Sequence, residues 1–267
     1  MKKSKIFTRV FSSLMLLMLP ALTLSSFGAP PQKQQYYEIK VYRIADNLQE
    51  TRVDAFLKDA YLPALHRAGI PMAGVFKPVE TDTTFGKIIY VLIPFNTIDK
   101  YMELPALLAK DKAYSEAGKS FLDAPYDKPP YKRLENILLK AFMNMPQMVA
   151  PKFLTPVTER IYELRSYESA TEAKAVKKIE MFNQGGEIAL FERLKFNPVF
   201  YGEVLVGSHM PNLMYMITFS DLKSHDEHWN AFRDAPEWKK LAAMEEYKNT
   251  VSKVSAYLLH PTSYSDF

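Results

Sequence analysis

No cysteine occurs in the 267 residues, which excludes disulfide scaffolds and thiol chemistry. The patterns GxSxG and HExxH, the P-loop and the dinucleotide glycine fingerprint are missing too, so the common hydrolases, zinc proteases and nucleotide enzymes have no motif here. An excess of one charge sign is also lacking. The formal net charge of +4 comes from 34 basic and 30 acidic side chains, and four of the cations, Lys2, Lys3, Lys5 and Arg9, lie at the start, ahead of the first acid at Glu38. Without residues 1–28 the 34 basic side chains fall by those four to 30, matching the 30 acids. A neutral chain has no field to gather phosphates, so neither nucleic acid nor an anionic membrane is expected as a partner. What is present, 48% hydrophobic and 24% charged residues, is the make-up of an ordinary globular protein.

The first residues read as a secretory signal. A basic start leads into an apolar stretch from Val10 to Leu24 and then into small residues, and cleavage after Gly28 puts Ser26 at −3 and Gly28 at −1. With no cysteine to lipidate, the chain is not a lipoprotein. Pro20 and the shortness of the apolar run speak against an uncleaved anchor, so no stable membrane span is expected after cleavage. The expected location is exported, periplasmic or secreted.

The remainder contains an internal repeat. Tyr37-Glu38-Ile39-Lys40-Val41-Tyr42 returns 125 positions later as Tyr162-Glu163-Leu164-Arg165-Ser166-Tyr167, and Ile88–Leu92 meets Leu213–Ile217 at the same offset. One residue is then lost, so that Phe95 meets Phe219 and Tyr114 meets Trp238. Each half opens on an alternating strand. Capping-box patterns follow at Asn47 with Glu50 and at Ser169 with Glu172, ahead of apolar helical stripes. The first stripe is Val53, Phe56, Leu57, Tyr61 and Leu65, and the second is Val176, Ile179, Phe182, Ile188 and Leu190, broken at Gly185-Gly186. Two strands (72–79 and 87–94; 198–206 and 212–219), a second helix (from about 97 and 221) and a last strand (134–142 and 251–259) complete each half. The expected fold is α+β: two tandem ferredoxin-like (βαββαβ) units, whose sheets carry helices on one face and leave the other apolar enough to need a partner. Domain boundaries are expected at 36–143 and 159–260, with a proline-bearing linker over 144–158.

The run Ser220–Leu241, with His228-Trp229, Pro236 and Trp238, and the opening Tyr162–Tyr167 resemble the NIPSNAP family. The likeness covers 159–260 well and 36–142 more loosely, since His228, Trp229 and Pro236 are replaced there by Leu104, Pro105 and Lys112. The resemblance implies the dimeric α/β-barrel superfamily, with the two units closing on each other as an intramolecular barrel. It implies little about activity: eukaryotic members are linked to mitochondrial quality control and vesicle traffic, and superfamily relatives include cofactor-free monooxygenases, isomerases and haem enzymes. His228, Trp229 and Trp238 are the candidate residues that the family motif supplies.

Strand parity supplies the others. Glu38, Lys40 and Tyr42 share one face of their strand, and Glu163, Arg165 and Tyr167 share one face of theirs. If helices cover the opposite, apolar sets, both charged sets point into the barrel, where they line a cavity for a small polar ligand or form ion pairs that set register. No catalytic residue stands out, and no cofactor is expected. His225-x-x-His228 lacks a third ligand at a recognised spacing, so no metal site is assigned; His225 is expected in solvent, with His228 and Trp229 packing the helix on the sheet. His66, His209, His228 and His260 are unranked as haem ligands. Met143, Met145 and Met148 read as linker contacts, and the loop holding Pro125, Pro129 and Pro130 either lids the barrel mouth or crosses it.

Two functions of different class follow. One is small-molecule binding or cofactor-independent catalysis in the barrel interior, with an enclosed cavity and a raised carboxylate pKa. The other is a structural or protein-interaction module with a filled barrel and an exposed apolar patch around Trp229 and Trp238. Association into a homo-oligomer is compatible with both.

Overall fold

The computed structural model describes residues 32–153 and 155–267; the leader read at 1–28 lies outside the described residues. The first half runs β1 (Tyr36–Arg43), α1 (Asn47–Phe56), a π-helical stretch (Leu57–Tyr61), α2 (Leu62–Arg67), β2 (Gly74–Pro78), β3 (Ile88–Phe95), three consecutive helices α3 (Ile98–Lys110), α4 (Lys112–Ala117) and α5 (Lys119–Leu122), and β4 (Arg133–Ala141). The second runs β5 (Ile161–Glu168), α6 (Glu172–Asn183), α7 (Glu187–Arg193), β6 (Asn197–Val206), β7 (Asn212–Phe219), α8 (Leu222–Asp234), α9 (Pro236–Ala243) and β8 (Lys253–Pro261). The eight strands close an antiparallel barrel in the order β1-β3-β2-β8-β5-β7-β6-β4. The two halves are joined edge to edge where β2 pairs with β8 and β4 with β6. Closure leaves no strand of the barrel with an unpaired edge. Among the described residues no helix is long and apolar enough to cross a membrane.

Helix starts differ from the sequence expectation by one or two positions. Asp46, not Asn47, caps α1, its Oδ1 accepting from the Gln49 amide at 2.9 Å, and Thr171, not Ser169, caps α6. Asp46 and Thr171 have the extended backbone a cap requires. The residues read as caps are used otherwise: Ser169 donates to the Thr250 carbonyl at 2.7 Å, and Glu50 pairs with Lys77. The apolar stripe of α6 is also rotated. Val176 is 58% exposed, and the buried face is Ala175, Lys178, Met181 and Phe182.

The expected direction of the charged sets is overturned. Tyr37, Ile39 and Val41 of β1 and Tyr162 and Leu164 of β5 face the barrel interior, in one apolar cluster with Phe76, Phe200, Met214, Met216 and Leu259. Phe267 reaches into the same interior and packs against Phe76 and Tyr162. Glu38, Lys40, Tyr42, Glu163, Arg165 and Tyr167 therefore lie on the outer face, beneath the helices. Parity sorts a strand into two sets but does not say which set a closing barrel turns inward. Composition gave no guide either, because β3 and β7 are buried almost throughout and are apolar on both faces.

Candidate functional site

Each half places its β1 or β5 triplet at the floor of a cavity between sheet and helices. The first cavity measures about 610 Å³ and is lined by Glu38, Lys40 and Tyr42 of β1 together with aromatic side chains of the covering helices. Phe56 and Tyr61 stack at 5.7 Å although they are five residues apart, a spacing that an α-helix turns to different faces. The π stretch, with its wider turn, brings both to the cavity. Tyr101 from α3, Tyr114 from α4 and Phe121 from α5 complete the wall, and Tyr131 reaches in from the proline-rich loop, whose Tyr126 stands in solvent. Met102, Leu122 and Leu134 rim the opening and are all exposed.

Glu38 is buried at the floor of this cavity. Among the described residues its carboxylate has one polar partner, Lys40 Nζ at 3.0 Å from Oε1, and Lys40 in turn donates to Asn136 Oδ1 at 3.2 Å. Oε2 has none. Burial holds the Tyr42 and Tyr61 hydroxyls protonated far beyond the ordinary phenol range, so both remain hydrogen-bond donors. The polar end of the cavity thus offers one open carboxylate oxygen and several phenols, and the rest of the wall is apolar.

The second cavity, about 490 Å³, holds Glu163, Arg165, Tyr167, Lys178, Glu187, His225, Trp229 and Trp238. Its polar groups are largely tied to one another. Arg165 Nη1 donates to Glu163 Oε1 at 2.5 Å and Trp229 Nε1 donates to Glu163 Oε2 at 2.7 Å. The Arg165 guanidinium lies 4.5 Å from the Trp229 ring and donates through Nε to Tyr167 Oη, which is 2.8 Å from Tyr215 Oη. His225 Nε2 sits 3.3 Å from Glu163 Oε2, off the hydrogen-bond direction. Burial alone would raise the Glu163 carboxyl, but contact with His225, the charge of Arg165 and the indole donor together outweigh it and hold the group below the ordinary carboxylate range.

All six β1 and β5 candidates therefore line cavities, in two separate sites rather than one barrel interior. Trp229 locks Glu163; Trp238 forms wall against Phe232 at 4.5 Å; His228 packs on Phe196 and donates through Nδ1 to the Ser224 carbonyl at 2.6 Å. The expectation that His225 is solvated does not hold, since its ring lies on Phe219 and reaches Glu163. His66, His209 and His260 pair with Asp266, Glu168 and the Arg160 carbonyl, and they line neither cavity. The carboxyl pushed upward, by burial above all, is Glu187, opposed by the Lys178 ammonium 2.7 Å away. Sequence reasoning missed this pair. The signal was available in the repeat, where the 125-residue offset sets Lys178 against Val53, a core position.

Comparison with known proteins matches residues 162–266 to the NIPSNAP family profile. Among solved structures, a provisionally assigned monooxygenase from Lactobacillus acidophilus NCFM superposes with a TM-score of 0.55 at 13% identity, over 86% of this chain and 94% of that one. An anthrone oxidase-like protein gives 0.51 at 8% identity, over 87% and 93%. A NIPSNAP-like domain protein from Burkholderia xenovorans is 18% identical over 40% of this chain and 90% of its own, with a TM-score of 0.37. No curated protein matches the chain. At such identities the first two establish the fold and nothing more, that of the dimeric α/β barrels. Residues 162–266 are thus similar to the NIPSNAP family and form a NIPSNAP domain within this chain.

Proposed function

We propose that this protein is an exported pseudo-dimer of two ferredoxin-like units, 36–143 and 159–260 joined by the linker 144–158, that binds a small amphipathic molecule in the cavity of its first half. The observation that carries the reading is the contrast between two equivalent carboxylates. Glu163 accepts from Arg165 and from the Trp229 indole, whereas Glu38 keeps Oε2 open. Pro105 occupies the position of Trp229 and has neither a donor nor the bulk of an indole, and the unfilled space is the cavity itself. Glu38 opens on the cavity, so a ligand that displaces solvent there must bring a donor to Oε2 or leave a desolvated carboxylate oxygen unpaired. The aromatic wall suits a flat apolar body, and the exposed Met102, Leu122 and Leu134 suit its entry. A protein-binding patch around Trp229 and Trp238 has less support, because the Trp229 ring is buried and engaged with Glu163.

Calorimetric titration with 2-naphthol, a flat ring system carrying one hydroxyl donor, tests this. Saturable one-to-one binding is expected, weakened about tenfold by Glu38→Gln through loss of a charge-assisted hydrogen bond and abolished by Pro105→Trp, which fills the space. Binding that is indifferent to both substitutions overturns the assignment. Export is tested separately by N-terminal sequencing of the protein from its natural host: a mature chain starting at Ala29 is expected, and one starting at Met1 contradicts it.

A further inference from the structure

We propose that the cavity of the NIPSNAP half is a second and separate ligand site, for a small molecule that joins a carboxylate to an apolar body, with Arg165 and Lys178 as its cationic contacts. The proposal does not depend on what the first cavity binds.

The first reason is the presence of Lys178 and Glu187 at all. Both are buried, with Nζ 2.7 Å from Oε2, Met181 Sδ 3.3 Å from the ammonium and the Phe182 ring 4.7 Å from it. Taking two charges out of water seldom stabilises a fold beyond what an apolar pair of similar volume would give. This chain contains that apolar pair. At the repeat offset, Val53 and Leu62 fill the corresponding positions of the first half, both buried in its core. Packing between helix and sheet therefore does not require an ion pair at these positions, and the charged version stands where the cavity opens.

The second reason is which groups remain unused. The acceptors are mostly committed: Glu163 has Arg165 on one oxygen and Trp229 on the other, Glu187 holds Lys178, and Asp226 pairs with His225 Nδ1 at 2.8 Å. The donors have capacity to spare. Among the described residues Arg165 Nη2 has no acceptor, Lys178 has one carboxylate and one thioether for three protons, and His225 Nε2 is buried without a hydrogen bond. Spare donors on charged groups call for an anionic acceptor, and a carboxylate suits both the planar guanidinium and the ammonium. Trp229, Phe232, Trp238, Val251 and Val254 supply the apolar lining and would hold the apolar body, while Arg233, which also lines the cavity, donates to Asn230 Oδ1 at 2.6 Å.

The test uses a property of this sequence. The chain has two tryptophans, and both line this cavity while neither lines the first, so tryptophan emission reports on the second site alone. Titration of the full-length chain with phenylacetate is expected to change the emission saturably, and benzylamine at equal concentration is expected to leave it unchanged. In the double variant Lys178→Val with Glu187→Leu, which installs the residues of the first half, phenylacetate affinity should fall tenfold or more. Unchanged near-ultraviolet circular dichroism shows that this variant is folded. A flat phenylacetate titration, an equal response to benzylamine, or full affinity in the folded double variant would each overturn the proposal.

Discussion

Glu163→Ala is expected to lower the unfolding free energy by about 3–5 kcal/mol, the usual loss when one partner of a buried ion pair is removed. The substitution strands Arg165, held between the Trp229 and Tyr167 rings, and leaves the Trp229 indole without its acceptor. Glu38→Ala, at the equivalent place in the first half, should cost clearly less, because Lys40 keeps Asn136 and faces an open cavity. Urea denaturation of both variants at matched m-value measures the difference, and equal losses would show that the indole lock contributes nothing. The same network sets a pH window. The Glu163 carboxyl is held below its ordinary 4.5, so its contribution is complete above that value and disappears as pH falls through the folded pKa. For His225, burial pulls the imidazole down, but Glu163 and Asp226 outweigh it and hold the ring above its ordinary 6.5. Its contribution is complete below 6.5 and disappears as pH rises through the folded value. Stability should therefore decline on both sides of that window, and His225→Asn should remove the alkaline decline while leaving the acid one.

Phe200→Ala is expected to cost a similar amount, about 3–5 kcal/mol, as large-to-small changes in a packed core do. Phe200 is fully buried inside the barrel and meets Tyr37 at a ring distance of 5.1 Å. The magnitude tests whether the interior is core or binding space. A hollow ligand chamber would lose little stability on truncation, and its ligand affinity would change instead. A loss under about 1 kcal/mol with altered 2-naphthol binding would return the functional site to the barrel interior, whereas a large loss with unchanged binding at the first cavity agrees with the packing seen here.

The repeat was legible because it is written in residues of one strand. Tyr37–Tyr42 and Tyr162–Tyr167 carry the same alternation, and the structure gives them the same position at the head of each half. The offset also paired Tyr114 with Trp238, and each lines its own cavity. Less legible was the contrast between the sites. It depends on a contact across 66 residues, from Trp229 to Glu163, and on its replacement by Pro105 in the first half. Pro105 looked like a loss of pattern, yet it borders the larger of the two cavities. The π stretch gave no sequence signal either, since its stripe of Phe56, Leu57, Tyr61 and Leu65 suits an ordinary helix as well.

By itself the sequence determined where the eight strands lie to within two or three residues, which of their residues share a face, that the Tyr37–Tyr42 pattern returns at Tyr162–Tyr167, and that the second half resembles NIPSNAP proteins. Each of these is a local or periodic property, readable from spacings of two, three and four residues or from one fixed offset. The tertiary structure alone decided which face the barrel encloses, which carboxylate is locked and which is open, and that Lys178 and Glu187 meet in the core. Those outcomes depend on the direction in which eight strands close and on which helix side chains then come to lie over the outer face of the sheet, and neither is encoded in the period of any single element.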